Sequence, residues 1–257
     1  VIRALADAGR MELRRMATLR GTYLVIAAAV SGGVFAALMT ALMAPGNTAL
    51  TPGRTVSALT AWGETLPMLP VGGLLAVLAA LSVGQDYRYR LLPALLTAMP
   101  RRGVLVSARL IVLGVVAFGV ALVTSVLGAM VCRVLGRAPA LERGTLRVVG
   151  TYLVLAVLWA WLGAGLAWIV RSGAGAVTIL LLGPLLIEPL ILAVASDGSA
   201  ELRHALSRMP FNAAWHALGP LRGTATTIGA LEAGAEFTAV TLAVVAVGTL
   251  LVRRRGA

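Results

Sequence analysis

Six long apolar runs alternate with short polar or arginine-rich segments along this chain, at about 22–43, 66–83, 104–131, 148–170, 174–195 and 233–252. A helix needs roughly 20 residues to cross a bilayer core, so each run predicts a transmembrane helix. The second reaches that length only if 62–65 extend it. Pro67 and Pro70 are expected to kink the second helix, and Pro184 and Pro189 the fifth. Gly and Ala recur in all six, which permits close helix packing. Ahead of the spans, Ile2, Leu5, Ala6, Gly9, Leu13 and Met16 recur at helical spacing, with Arg3, Asp7, Arg10 and Arg14 on the other side. This predicts an amphipathic helix over 1–20, lying in the membrane interface. Residues 44–61 are rich in Pro and Gly and read as a loop. Residues 196–232 mix apolar and polar positions too finely for a span and predict short outer helices, with Trp215 at headgroup depth.

The fold class that follows is an all-α polytopic membrane protein: six transmembrane helices preceded by an N-terminal interfacial helix, with short outer helices between spans five and six. Residues 1–257 form a single transmembrane domain, with an interfacial helix at 1–20, a cytoplasmic loop at 84–103 and an outer helical segment at 196–232.

Composition agrees. Of the 257 residues 59% are hydrophobic and 12% charged, and the mean hydropathy is +0.93; soluble domains carry about 25% charged residues. The net charge of +12 is not a nucleic-acid signal, because the arginines cluster at the ends of apolar runs, where they set topology and meet anionic headgroups. All 22 basic residues are arginine. Without lysine there is no P-loop, so any ATP that drives this protein binds another chain. Cys132 is the single cysteine, which excludes an intrachain disulfide and reads as a small residue at a span end. The first twenty residues are too charged for the apolar core of a signal peptide.

Arginines favour the cytoplasmic side. With the N-terminus inside, that side holds Arg3, Arg10, Arg14, Arg15 and Arg20, then Arg88, Arg90, Arg101, Arg102 and Arg109, then Arg171 and Arg253, Arg254 and Arg255, fourteen of the 22. Both termini are therefore expected in the cytoplasm. Arg133, Arg137, Arg143 and Arg147 resist this count, since all four fall in an outer connection.

Motifs for catalysis are absent: there is no H-E-x-x-H, no G-x-S-x-G and no Cys/His cluster. His204 and His216 stand twelve apart, too far for usual metal-ligand spacing, and read as solvent-facing or interfacial. Glu188 is the one acid well inside a span, beside Pro189. Intramembrane carboxylates are expensive and often functional. Two readings stay open: a place on a translocation path, or a carboxylate that reaches outer water or caps backbone donors. Glu232 and Glu236 precede the last span, where the helix dipole favours acids.

The charged island at 84–109 carries a family resemblance. Gly84, Asp86, Tyr87 and Arg88, then Leu96, then Pro100, Arg101 and Arg102, then Ala108 and Arg109 resemble the first cytoplasmic loop of the type-2 ABC exporter permeases. The family's Gly-Thr pair is replaced by Arg90 and Leu91, and Pro93 interrupts the expected helix. Glu12, Leu13, Arg15, Leu19, Arg20, Thr22 and Tyr23 are similar to the family's entrance to the first span, and Met209, Pro210, Phe211 and Leu218 to the outer segment before the last.

The resemblance implies a bacterial cytoplasmic-membrane permease subunit that pairs with a second copy or paralogue. Two separate ATPase subunits would dock on it, carrying ATP and Mg, and this chain would hold no cofactor. It implies docking of the ATPase through Glu12, Asp86, Tyr87, Arg88, Pro100, Arg101 and Arg102, and a path lined by the second and fifth spans that Glu188 could join. Two other classes remain: a stand-alone proton-coupled carrier using Glu188, and a membrane scaffold or membrane enzyme that transports nothing.

Overall fold

Ten helical segments follow from the apolar runs in a computed structural model that describes residues 2–44, 49–61, 70–89, 102–194, 208–218 and 229–254. They are α1 (Ile2–Thr18), α2 (Arg20–Leu42), α3 (Pro52–Thr60), α4 (Pro70–Arg88), α5 (Arg102–Val134), α6 (Arg143–Val170), α7 (Gly173–Leu182), α8 (Glu188–Val194), α9 (Pro210–His216) and α10 (Ala230–Arg254). Residues Gly183–Ile187 join α7 to α8 as a π-helical turn. Among the described residues there is no strand.

Among the described residues five stretches are long and apolar enough to cross a bilayer: Arg20–Leu42, Gly103–Val134, Arg143–Val170, Gly173–Ile191 and Ala230–Arg254. The chain is therefore a multi-pass helical membrane protein. Large apolar side chains stand exposed around the bundle, among them Leu24, Phe35, Val115, Val154 and Leu186, and water disfavours so wide an apolar belt. The expected second span is the exception to the count of six. Its polar last turn, with Gln85, Asp86 and Arg88, keeps α4 outside the five, and residues 62–69 lie outside the described ones. The helix is nonetheless central: α4 runs parallel to α6 and packs closely along it.

That packing rests on missing side chains. A Cβ on Gly163 would collide with the backbone carbonyl of Ala76 on α4, and one on Gly84 with the backbone of Gly173 at the start of α7. Without a hydrophobic force between helices in lipid, such close approach is what holds them together. Gly163→Ala is expected to force α4 off α6 and to destabilise the fold by about 1–3 kcal/mol, the usual cost of overpacking. Gly119→Ala, which meets nothing within 4 Å, is expected to be neutral. Thermal unfolding of the two purified variants in detergent compares them.

One expectation needs correcting. The supposed loop at 44–61 contains α3, whose residues Thr55 to Thr60 are buried against α2 and α5. Thr51 stands at the N-cap without a side-chain capping bond, and Pro52, with its φ pre-set for the first helical position, starts it. Ser125 Oγ donates to the Leu59 carbonyl at 2.7 Å, the Ala140 N–H donates to Thr55 Oγ1 at 3.0 Å, and the Leu50 N–H to the Ala138 carbonyl at 3.1 Å. On α1 the side turned to the bundle differs from the apolar stripe. Ala8, Glu12 and Met16, one turn apart, are buried, while Ala6 and Leu13 are exposed. An acid takes the middle of the inward stripe because arginines await it there.

The fifth run changes its backbone spacing where Pro184 stands. Pro184 lies inside the π turn, where the absent N–H and the ring's clash with the preceding turn favour a wider backbone spacing. Arg171, in the left-handed conformation (φ 58°), ends α6, and the Ser172 side chain caps α7 by accepting from the Gly175 N–H at 3.2 Å.

Candidate functional site

One end of the bundle gathers the segments that sequence assigns to the arginine-rich side. The end of α4 meets the start of α7 at Gly84 and Gly173, the Arg253 guanidinium of α10 lies beside Gly103 of α5, and α1 packs on α5. At this end four charged side chains from three helices close on one another. Arg109 of α5 donates from Nε to Glu12 Oε1 of α1 at 2.8 Å and from Nη1 to Asp86 Oδ2 of α4. Arg15 of α1 pairs through Nη2 with Asp86 Oδ1, lies 3.8 Å from Glu12 Oε2, and donates to the Ser82 carbonyl at 3.0 Å. Glu12, Asp86 and Arg109 are each at most 4% exposed.

Two cations and two anions make the cluster neutral, which is what burial demands, since an unpaired charge taken from water costs several kcal/mol. The geometry also explains the position of Asp86. It lies in the last turn of α4, where the helix dipole disfavours an acid, so its arginines hold it there. Both carboxylates are bridged by the planar fork of Arg109, which lysine could not reproduce. The cluster thus ties the N-terminal helix, the end of α4 and the start of α5 into one unit; residues 90–101, between α4 and α5 in the chain, lie outside the described residues.

The residues expected to dock a partner separate accordingly. The Glu12 and Asp86 carboxylates face inward. Tyr87 is half-buried against the core, while Arg88 is exposed with its guanidinium 5.7 Å from the Tyr89 ring centre. Arg102 opens α5; Pro100 and Arg101 lie outside the described residues. Sequence places Arg15 and Arg109 in the topology count and in the resemblance, and neither reveals their ion pairs. Glu12 and Arg109 are 97 positions apart, so no local spacing betrays them. The available signal was the scarcity of acids: a chain with 10 of them that sets two at apolar boundaries needs cations to meet them.

A second polar arrangement lies at the opposite end. Glu188 is 6% exposed and accepts the Phe211 N–H at 3.1 Å and the Asn212 N–H at 2.8 Å. These are first-turn donors of α9, which the helix itself leaves unpaired. A carboxylate from α8 therefore caps α9 from across the fold, and its charge suits the positive end of the helix dipole. Phe211 enters the bundle, stacked on Trp159 of α6 with ring centres 5.4 Å apart, its edge against Gly183 of the π turn. Arg208 binds Glu232 at 2.6 Å and Glu236 at 3.4 Å, so these acids tether the segment before α9 to α10 as well as standing at a helix start. Burial lowers the His216 imidazole below its ordinary value; His204 is outside the described residues. Among the described residues no three of His, Cys, Asp and Glu are grouped to hold a metal. Cys132 is a free thiol buried with Ala37, Ala41 and Leu50. No protein-family model and no curated protein matches the chain.

Proposed function

We propose that this chain is the membrane-spanning half of an ATP-driven exporter, with six spans counting α4, both termini cytoplasmic, and ATP hydrolysis on separate docked subunits. The observation that carries the reading is the buried ion cluster. It joins α1 to the two helices that flank the arginine-rich loop, so a push on that loop is delivered to three helices at once. A loop meant to receive motion from a soluble partner needs such a rigid base. In this reading Arg88, Arg101 and Arg102 face the ATPase, and Glu12 and Asp86 set the loop's foundations. The second permease half, a copy or a paralogue, completes the path.

The carrier reading requires Glu188 to exchange protons during transport. Its carboxylate already has work as the cap of α9, which weakens the case for it as a carrier site.

Charge reversal of Arg101 and Arg102 together is the direct test. Co-expressed with a P-loop ATPase encoded beside this chain, the variant is expected to insert normally and to lose most of the co-purifying ATPase. Retention of the ATPase at the wild-type level would reject docking through this loop.

A further inference from the structure

The first halves of α6 and α10 part at the end of the bundle opposite the ion cluster, leaving a cavity of about 1020 Å³, the upper end of the size of small-molecule sites. Its walls are small or apolar, and the two threonines there turn inward on their own helices. Thr151 Oγ1 donates to the Arg147 carbonyl at 3.1 Å and Thr238 Oγ1 to the Gly234 carbonyl at 2.7 Å. Arg147 is the one charged lining residue. It is exposed, and among the described residues it has no ion-pair partner. The nearby acids of α10, Glu232 and Glu236, are taken by Arg208.

We propose that this groove binds one anionic phospholipid, its phosphate on Arg147 and an acyl chain between α6 and α10. Three observations converge. The lips of the groove, Val154, Leu231 and Leu242, are exposed apolar side chains, so the groove opens toward the hydrocarbon that supplies the chain. A guanidinium at the mouth of an apolar slot matches a phosphate above an acyl tail. The third is the group of arginines that resists the topology count. Arg133, Arg137, Arg143 and Arg147 stand within fifteen residues with Glu142 as the only acid, and Arg143 precedes Arg147 by one turn on the same helix face. Basic pockets between membrane helices hold anionic headgroups, and such a role gives Arg147, the one of the four that lines the groove, a reason to be where orientation alone disfavours it. The proposal does not depend on the exporter reading.

The test uses the full-length purified chain in mild detergent, loaded with phosphatidylglycerol or with phosphatidylcholine of the same acyl chains and read by native mass spectrometry. One phosphatidylglycerol is expected to be retained, at clearly higher occupancy than phosphatidylcholine. Arg147→Gln, on an exposed side chain, is expected to lower that retention roughly tenfold, as the loss of one charge-assisted contact does. Arg133→Gln is expected to leave it unchanged. Gly150→Leu and Gly234→Leu, at positions where an added Cβ meets nothing closer than 3.8 Å, are expected to fill the groove and expel either lipid. Equal retention of the two lipids by the wild type, undiminished retention in Arg147→Gln, or an equal loss in Arg133→Gln would each overturn the proposal; the last would mean diffuse attraction without a site.

Discussion

Arg109→Ala is expected to be the most damaging single change in the chain. It removes the cation that both Glu12 and Asp86 share in a site from which water is excluded. Breaking a buried pair by deleting one partner costs about 3–5 kcal/mol, because the charge left behind is uncompensated; Arg15 here can compensate only in part. Thermal unfolding in detergent should drop sharply, and α1 should become open to proteolysis. The double change Glu12→Leu with Arg109→Leu leaves Arg15 and Asp86 as a neutral pair. It is therefore expected to be less harmful than Arg109→Ala, a non-additivity that only interacting neighbours produce. A variant Arg109→Ala within the ±0.5 kcal/mol typical of surface substitutions would mean that the cluster carries no such energy.

Glu188→Gln is expected to loosen the opposite end. The neutral amide offers one oxygen where the carboxylate offers two, so one of the Phe211 and Asn212 donors is orphaned and the other faces a weaker acceptor. Hydrogen bonds to a charged group are worth about 1.5–3 kcal/mol each. The amides of Phe211 and Asn212 should exchange with deuterium markedly faster, while those at the centre of α6 stay protected. In transport the two readings diverge. An ATP-driven exporter carrying the substitution should change in turnover while remaining indifferent to the proton gradient. Movement of substrate down a pH gradient by the chain without any ATPase, abolished by Glu188→Gln, would give the carrier reading the better of the argument.

The long-range outline was legible because lipid simplifies the code. Each apolar run had to be a helix, since only a helix satisfies its own backbone in hydrocarbon. Pro184 marked the place where the fifth run departs from regular α-helix, though not that the departure is a π turn. The short α3 was missed because Pro and Gly were taken as loop signals, when Thr51 and Pro52 are start signals. Which side of α1 meets the bundle was not legible for a different reason: periodicity finds a stripe of apolar residues, and the inward stripe contains Glu12, received there by Arg15 and Arg109. The capping of α9 by Glu188 joins residues 23 and 24 positions apart across an intervening segment. The sequence could name capping as one option for that acid but not say which helix it capped.

The ion cluster also has a history within each molecule's synthesis. Its members leave the ribosome in the order Glu12, Arg15, Asp86, Arg109, and a chain grows at about 5–20 residues per second. For the several seconds before Arg109 emerges, two carboxylates share a single arginine, and the N-terminal helix has no fixed seat. Insertion of α5 supplies the last charge and closes the cluster. The N-terminal helix, made before the helices it packs on, is thus among the later parts to find its place, and a chain arrested before α5 would leave Glu12 and Asp86 with one arginine between them, a cluster one cation short for quality control to recognise.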